Sequence, residues 1–220
     1  MNHKKLLEKI VLNKIHKERA KKIIMKYDIK EFLDIGRHSI ILKKNGRCYK
    51  VEKDIPAGKN ACLNEYENLK RLKKYEWVVK NFKYDQELRV LAYNYVKGVF
   101  LPTFIETNLL NKNKIKRILI KCFKICYILD KSGYNKLEMH KPVKHIIIGK
   151  YNKITFLDFE RMYESKRPKN VSQFATYVFF HNKITKTLFK KDKKNFFKVL
   201  KNYKDNINKE NFSKVLKLLN

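Results

Sequence analysis

No stretch of the 220 residues approaches the roughly 20 consecutive apolar positions that a membrane-crossing helix needs. The N-terminus carries no charged-then-apolar leader either, so the expectation is a cytoplasmic protein with no membrane partner. Cysteine is scarce. Cys48, Cys62, Cys122 and Cys126 lack the density of a secreted disulfide scaffold and form no paired CxxC zinc knuckle, which points to reduced thiols. Cys122 and Cys126 lie one helical turn apart in an apolar-periodic stretch and read as small buried side chains rather than half a metal site. There is no internal repeat and no long low-complexity linker. With 44% hydrophobic residues the chain can bury a core, as one medium domain or as two small lobes.

Acidic residues are also few: 21 Asp and Glu stand against 53 Lys and Arg, a formal charge of +32. Such a balance attracts polyanions, among them nucleic acid, ribonucleoprotein, nucleotides and acidic protein tails. The lysines are spread along the chain, so compositional bias is an equal explanation. Tyr84, Tyr93 and Tyr95 are available to stack bases, although aromatic residues are more often core.

The periodicity predicts one amphipathic helix over residues 4–26, built on Leu6, Ile10, Val11, Ile15 and Ile23. From Phe32 to Val51 two apolar runs flank Asn45-Gly46, a strong hairpin signal. Residues 60–74 return to a helical period with Leu63, Leu69 and Leu72 apolar. Two strands are expected in the segments WVVKNFKY and ELRVLAYNYV, then a long helix over 114–132 stopped near Gly133. A hairpin of KHIIIG and KITFLDF follows, then a helical tail from 182 to 220.

Lys50 stands on the strand after the Asn-Gly turn. Glu65 lies in the next helix with leucines four and seven residues on, and Asp158 ends an apolar strand and is followed by Phe159. In this order they resemble protein kinases: Lys50 matches the third-strand lysine, Glu65 the C-helix glutamate with Glu67 as fallback, and Asp158 the Asp-Phe-Gly aspartate, here in Asp-Phe-Glu. The resemblance covers residues 31–180. The chain resembles the compact atypical kinases, such as the RIO type, the small kinase of the tRNA threonylcarbamoylation complex, and predicted Ser/Thr kinases with an Asp-Phe-Glu-Arg motif.

The resemblance implies an α+β, two-lobed fold: an N-terminal helical extension (1–30), a small antiparallel-sheet lobe and hinge (31–98), and a reduced, mostly helical lobe (99–220). It implies ATP and Mg²⁺ as cofactors and a Ser/Thr protein substrate. Gly36, Ser39 and Ile41 would lie in the nucleotide-cradling turn, Lys50 on the phosphates, Tyr93 and Tyr95 at the adenine edge. Asp158 would be a metal ligand or, failing that, a structural ion pair.

Several positions depart from the family pattern. One glycine, Gly36, stands where kinases have three, with Arg37 and His38 as substitute charges. The catalytic loop has no His-x-Asp: counting from Gly133 makes Glu138 the catalytic base, and counting back from the following strand makes it His140. His145 falls at the second metal position, where imidazole is a poorer Mg²⁺ ligand than an amide oxygen; phosphate binding and packing are its other roles. The segment beyond Asp158 is too short for a full peptide-docking subdomain. Rival readings are an inactive ATP-binding pseudokinase, a basic RNA-associated protein, and a small-molecule kinase of the aminoglycoside or choline type.

Overall fold

The computed structural model describes residues 3–220 as an α+β protein of two compact units. One comprises the chain up to Val96 together with Asp158–Arg161; the other comprises Lys97–Leu157 and Met162–Asn220.

The first unit begins with α1 (His3–Leu12) and α2 (Lys17–Tyr27), followed by strands β1 (Glu31–Ile35), β2 (Ser39–Lys44) and β3 (Arg47–Glu52), helix α3 (Ala61–Leu72), and strands β4 (Lys83–Asp85) and β5 (Val90–Asn94). The sheet is antiparallel throughout, in the order β1-β2-β3-β5-β4. Asn45 (φ 46°) and Gly46 (φ 73°) make the β2–β3 turn, the doubly left-handed conformation that Asn-Gly favours because it matches strand twist.

The single helix expected over 4–26 is two. The chain breaks at Lys14 (φ 65°), where the Lys14 carbonyl accepts from the Asp54 amide at 2.7 Å and Asp54 accepts from the His16 amide at 2.6 Å. Bending there lets Leu6 and Ile10 on α1 and Ile23 and Ile24 on α2 pack into one core with Leu42, Val51 and Val90 of the sheet. Of the segment WVVKNFKY only its end is strand. Trp77, Val78 and Val79 are buried in turns instead, as apolar anchors.

The second unit contains β6 (Val99–Phe100), α4 (Leu101–Thr107), α5 (Lys112–Lys131), β7 (Tyr134–Lys136), β8 (Ile146–Ile148), β9 (Ile154–Phe156), β10 (Met162–Glu164), α6 (Asn170–Thr176), a π-helical turn at Tyr177–His181, α7 (Lys183–Leu188), α8 (Lys193–Asp205) and α9 (Lys209–Lys217). β8 pairs with both β6 and β9, and β7 pairs with β10. The apolar stripe of α5 (Ile115, Ile118, Leu119, Cys122, Phe123, Cys126, Leu129) is buried at helical spacing, with both cysteines in it. All four thiols are free and buried, and burial pushes the pKa of each one up. Asn111, Asn182, Asp192 and Asn208 cap α5, α7, α8 and α9 through their side-chain oxygens.

Gly98 marks a close approach: a Cβ there would meet the Ile148 carbonyl oxygen at 2.5 Å and an Ile147 methyl at 2.6 Å. Gly98→Ala is expected to lower stability by about 1–3 kcal/mol, read as a lowered melting temperature. Among the described residues no helix is long and apolar enough to cross a membrane.

Candidate functional site

In the first unit the sheet's two faces differ. α1 and α2 pack on one of them. The other carries Ile41, Lys50 and Leu91 in register across β2, β3 and β5. Lys50 is 6% exposed, and its ammonium donates to Glu65 Oε2 at 2.6 Å, Asp158 Oδ1 at 2.8 Å and Glu160 Oε2 at 3.0 Å.

α3 presents Glu65 because its buried face repeats at helical spacing: Cys62, Glu65, Asn68, Leu69, Leu72. The Cys62 amide at the start of α3 donates to the buried carboxylate of Glu52 at 3.2 Å, which satisfies one orphan donor and suits the positive end of the helix dipole. Glu67 is exposed and pairs with Lys70, so the lysine's partner is Glu65.

Residues 158–160 are held by the same helix. The Phe159 amide donates to Glu65 Oε1 at 3.1 Å, and the Phe159 carbonyl accepts from Asn68 Nδ2 at 2.7 Å. The Phe159 ring is fully buried, 6.2 Å from Trp77. Clamped on both sides of Phe159, the chain places Asp158 in the left-handed region (φ 63°), a strained conformation for a residue with a Cβ, and brings both flanking carboxylates to Lys50. Glu160 also meets His38 Nδ1 at 2.6 Å, from the β1–β2 turn.

The charge balance is uneven. Three carboxylates surround one ammonium, and one of them, Glu160, also meets the His38 ring. Burial works against the Lys50 ammonium, but attraction to Glu65, Asp158 and Glu160 outweighs it and raises the lysine's pKa well above its ordinary value. Burial also raises the Glu65 pKa, with repulsion from Asp158 and Glu160 acting against the pull of Lys50. Oxygen atoms of Glu65, Asp158 and Glu160 all lie within 4.8 Å of one another. An all-carboxylate donor set suits a hard divalent cation such as Mg²⁺.

The turn before β2 is closed on itself. The Gly36 amide donates to the Ser39 carbonyl at 2.8 Å, and the Gly36 carbonyl accepts from Lys53 Nζ at 2.7 Å. Ser39 is buried opposite Glu52. Tyr93 is buried and pairs with Cys48 in the sheet; burial raises its phenol pKa well above the ordinary value, so it stays neutral. The Tyr95 amide donates to the Gly46 carbonyl at 2.8 Å, so another acceptor would have to compete for it.

Glu138, His140 and His145 belong to the second unit. Glu138 has φ 71°, a rare conformation for glutamate, and its Oε2 lies 4.0 Å from His145 Nδ1. His145 is tied by its carbonyl to the Leu157 amide at 2.9 Å. His140 is exposed, its carbonyl facing His181 Nδ1 at 3.1 Å. Sequence reasoning missed Glu160 as a partner of Lys50; the one signal was a glutamate two residues beyond Asp158 at the end of a buried strand. No model of a known protein family matches the chain, and no curated protein matches its sequence.

Proposed function

We propose that the chain is an ATP-dependent phosphotransferase of the compact, atypical protein-kinase type, acting on a Ser or Thr hydroxyl, with a two-lobed kinase-like fold. The reading rests on one observation: a buried strand lysine shared between a helix glutamate at 2.6 Å and an aspartate two residues beyond the strand Ile154–Phe156 at 2.8 Å, in the chain order the kinase resemblance requires. In this reading Lys50, fixed by Glu65, meets phosphate oxygens, and Asp158 and Glu160 hold Mg²⁺. The metal supplies neutralisation of charge on the transferring phosphoryl group. Catalysis is then mainly positioning and electrostatics. Glu138 is preferred to His140 as the group orienting the acceptor hydroxyl, because it is half-buried in a strained backbone conformation and His140 faces solvent.

The second reading, an inactive nucleotide-binding or basic RNA-associated protein, draws on the Gly36 and Tyr95 amides, both spent on carbonyls of the same unit. Thermal melts with ATP, with and without Mg²⁺ at fixed ionic strength, separate them when paired with a transfer assay on Ser/Thr peptides. The expected result is a Mg-dependent rise in melting temperature and measurable transfer, both lost in Asp158→Asn. A rise without transfer favours the second reading, and an Asp158→Asn protein with unchanged turnover sinks the first.

A further inference from the structure

The face of the sheet turned away from Lys50 is only partly covered. α2 ends at Tyr27, and the next residue, Asp28, takes a left-handed conformation (φ 46°) that turns the chain away. Beyond that point the row Arg47, Tyr49, Ala92 and Lys83 has only the Tyr27 ring of α2 beside it: Tyr49 and Ala92 are buried, and Tyr49 and Lys83 both stand opposite Ala92 in the ladder. Alanine between two long side chains leaves a dent. A hollow of about 580 Å³ opens there, walled by Lys26 and Tyr27 and floored by Tyr49 and Ala92, within the size range of small-ligand sites of about 300–1,000 Å³.

The lining has a definite chemistry. Lys26, Arg47 and Lys83 supply three cations against a single acid, Asp85. Asp85 is already engaged by Lys26 at 2.7 Å and by the Tyr27 hydroxyl at 2.5 Å. Burial pushes its carboxyl up, but these hydrogen bonds outweigh burial and hold it below the usual range, so it stays ionised and orients both partners. The Tyr27 ring, half-buried, lies 4.8 Å from Tyr49 and forms an aromatic wall beside the cations. A second hollow of about 270 Å³ adjoins through Lys26, with Met25, 81% exposed, and Leu88 as apolar ground flanked by Lys22 and Glu87.

Cations for phosphate and a ring for a base in the larger hollow, with the smaller, ringless hollow continuing from it through Lys26, fit a polymer of nucleotides rather than a single one. An acidic peptide would use the cations but not the rings. We propose that these adjoining hollows bind single-stranded nucleic acid, phosphates on Arg47 and Lys83 and a base against Tyr27, with Lys26 and Met25 meeting the next nucleotide. The site is on the opposite sheet face from Lys50 and does not depend on phosphotransfer.

The test is fluorescence anisotropy of a labelled ten-residue oligouridylate titrated at several salt concentrations. A protein of charge +32 binds any polyanion, so a charge-matched control is essential. Arg47→Gln/Lys83→Gln is expected to weaken binding about 10-fold at 0.1 M salt and to reduce the salt slope by about 1.4, the share of two single-strand phosphate contacts. The control Lys198→Gln/Lys201→Gln, two exposed lysines of α8, removes the same charge and is expected to leave both nearly unchanged. Tyr27→Leu is expected to weaken binding about 10-fold and Tyr27→Phe to weaken it far less, since stacking needs the ring and the lost hydroxyl removes only its orienting contact with Asp85. Should the Arg47 variant fold poorly, Lys83→Gln alone, at an exposed position, is expected to cost about 3-fold. A matching DNA strand distinguishes the sources: weaker binding assigns RNA, equal binding assigns single strands of either sugar. Equal losses in the two double variants, no loss in Tyr27→Leu, or equally tight binding of a polyglutamate peptide overturns the proposal.

Discussion

Lys50→Met is expected to destabilise the protein by about 3–5 kcal/mol, the cost of leaving buried charge without its partner. Methionine keeps the length and apolar stem of the side chain, so packing along β3 is nearly preserved and what is lost is the ammonium. Glu65, 3% exposed, then faces Asp158 and Glu160 with no cation between them. Two further outcomes separate this cause from a packing defect. Millimolar Mg²⁺ or Mn²⁺ should raise the melting temperature of Lys50→Met more than that of wild type, because a divalent cation replaces the missing charge. Lys50→Met/Glu65→Leu should recover part of the loss, since an apolar pair removes the buried charge rather than stranding it. A Lys50→Met protein that melts with wild type, metal or no metal, would mean that the carboxylates do not depend on the lysine and would remove the observation on which the functional reading stands.

The parts of this site legible in the sequence are those with a local signature. Asn45-Gly46 fixes the β2–β3 hairpin and with it the register that turns Lys50 away from α1 and α2. The apolar spacing of residues 62–72 fixes the face on which Glu65 lies. The run ITFLD fixes a strand, Ile154–Phe156, with an acid two residues beyond its end. Glu160 was not legible as a member because its meaning is set by distance in space. Set beside the kinase pattern it reads as a lost glycine, and only the clamp of Glu65 and Asn68 on the Phe159 backbone directs it back to Lys50. His38 read as a substitute charge in a glycine-poor turn, and its partner at 2.6 Å is 122 residues away.

The same limit applies to the fold. The break between α1 and α2 has no proline or glycine to announce it and is imposed by Asp54, 38 residues beyond His16. Trp77, Val78 and Val79 satisfy a strand pattern yet are buried without one, because burial of apolar side chains does not require a ladder. The β7–β10 pairing joins Tyr134–Lys136 to Met162–Glu164, two three-residue strands far apart in sequence and too short to carry any period.

Asp130 is the clearest case of a residue whose weight the sequence hides, and its replacement carries the second large expectation. It stands four residues after Cys126 on the buried side of α5, and its partners lie on other elements: it is 3% exposed and accepts four hydrogen bonds, from the Asn170 amide at 2.9 Å, Asn170 Nδ2 at 2.6 Å, the Val171 amide at 3.1 Å and the Tyr203 hydroxyl at 2.9 Å. Burial pushes its carboxyl above the usual range against the pull of those donors. Asn170 passes the connection on, accepting from the Lys136 amide at 2.8 Å and donating to the Tyr134 carbonyl at 2.7 Å, so one carboxylate ties α5 to α6, α8 and β7. Asp130→Ala strands several buried donors at once and is expected to cost about 3–5 kcal/mol. Hydrogen-exchange protection should fall first at the start of α6 and in β7. Tyr203→Phe removes one donor, leaves the carboxylate its other three partners, and is expected to cost about 1 kcal/mol. If Asp130→Ala proved no worse than Tyr203→Phe, the carboxylate would be one contact among many in this unit rather than the point at which four of its elements meet.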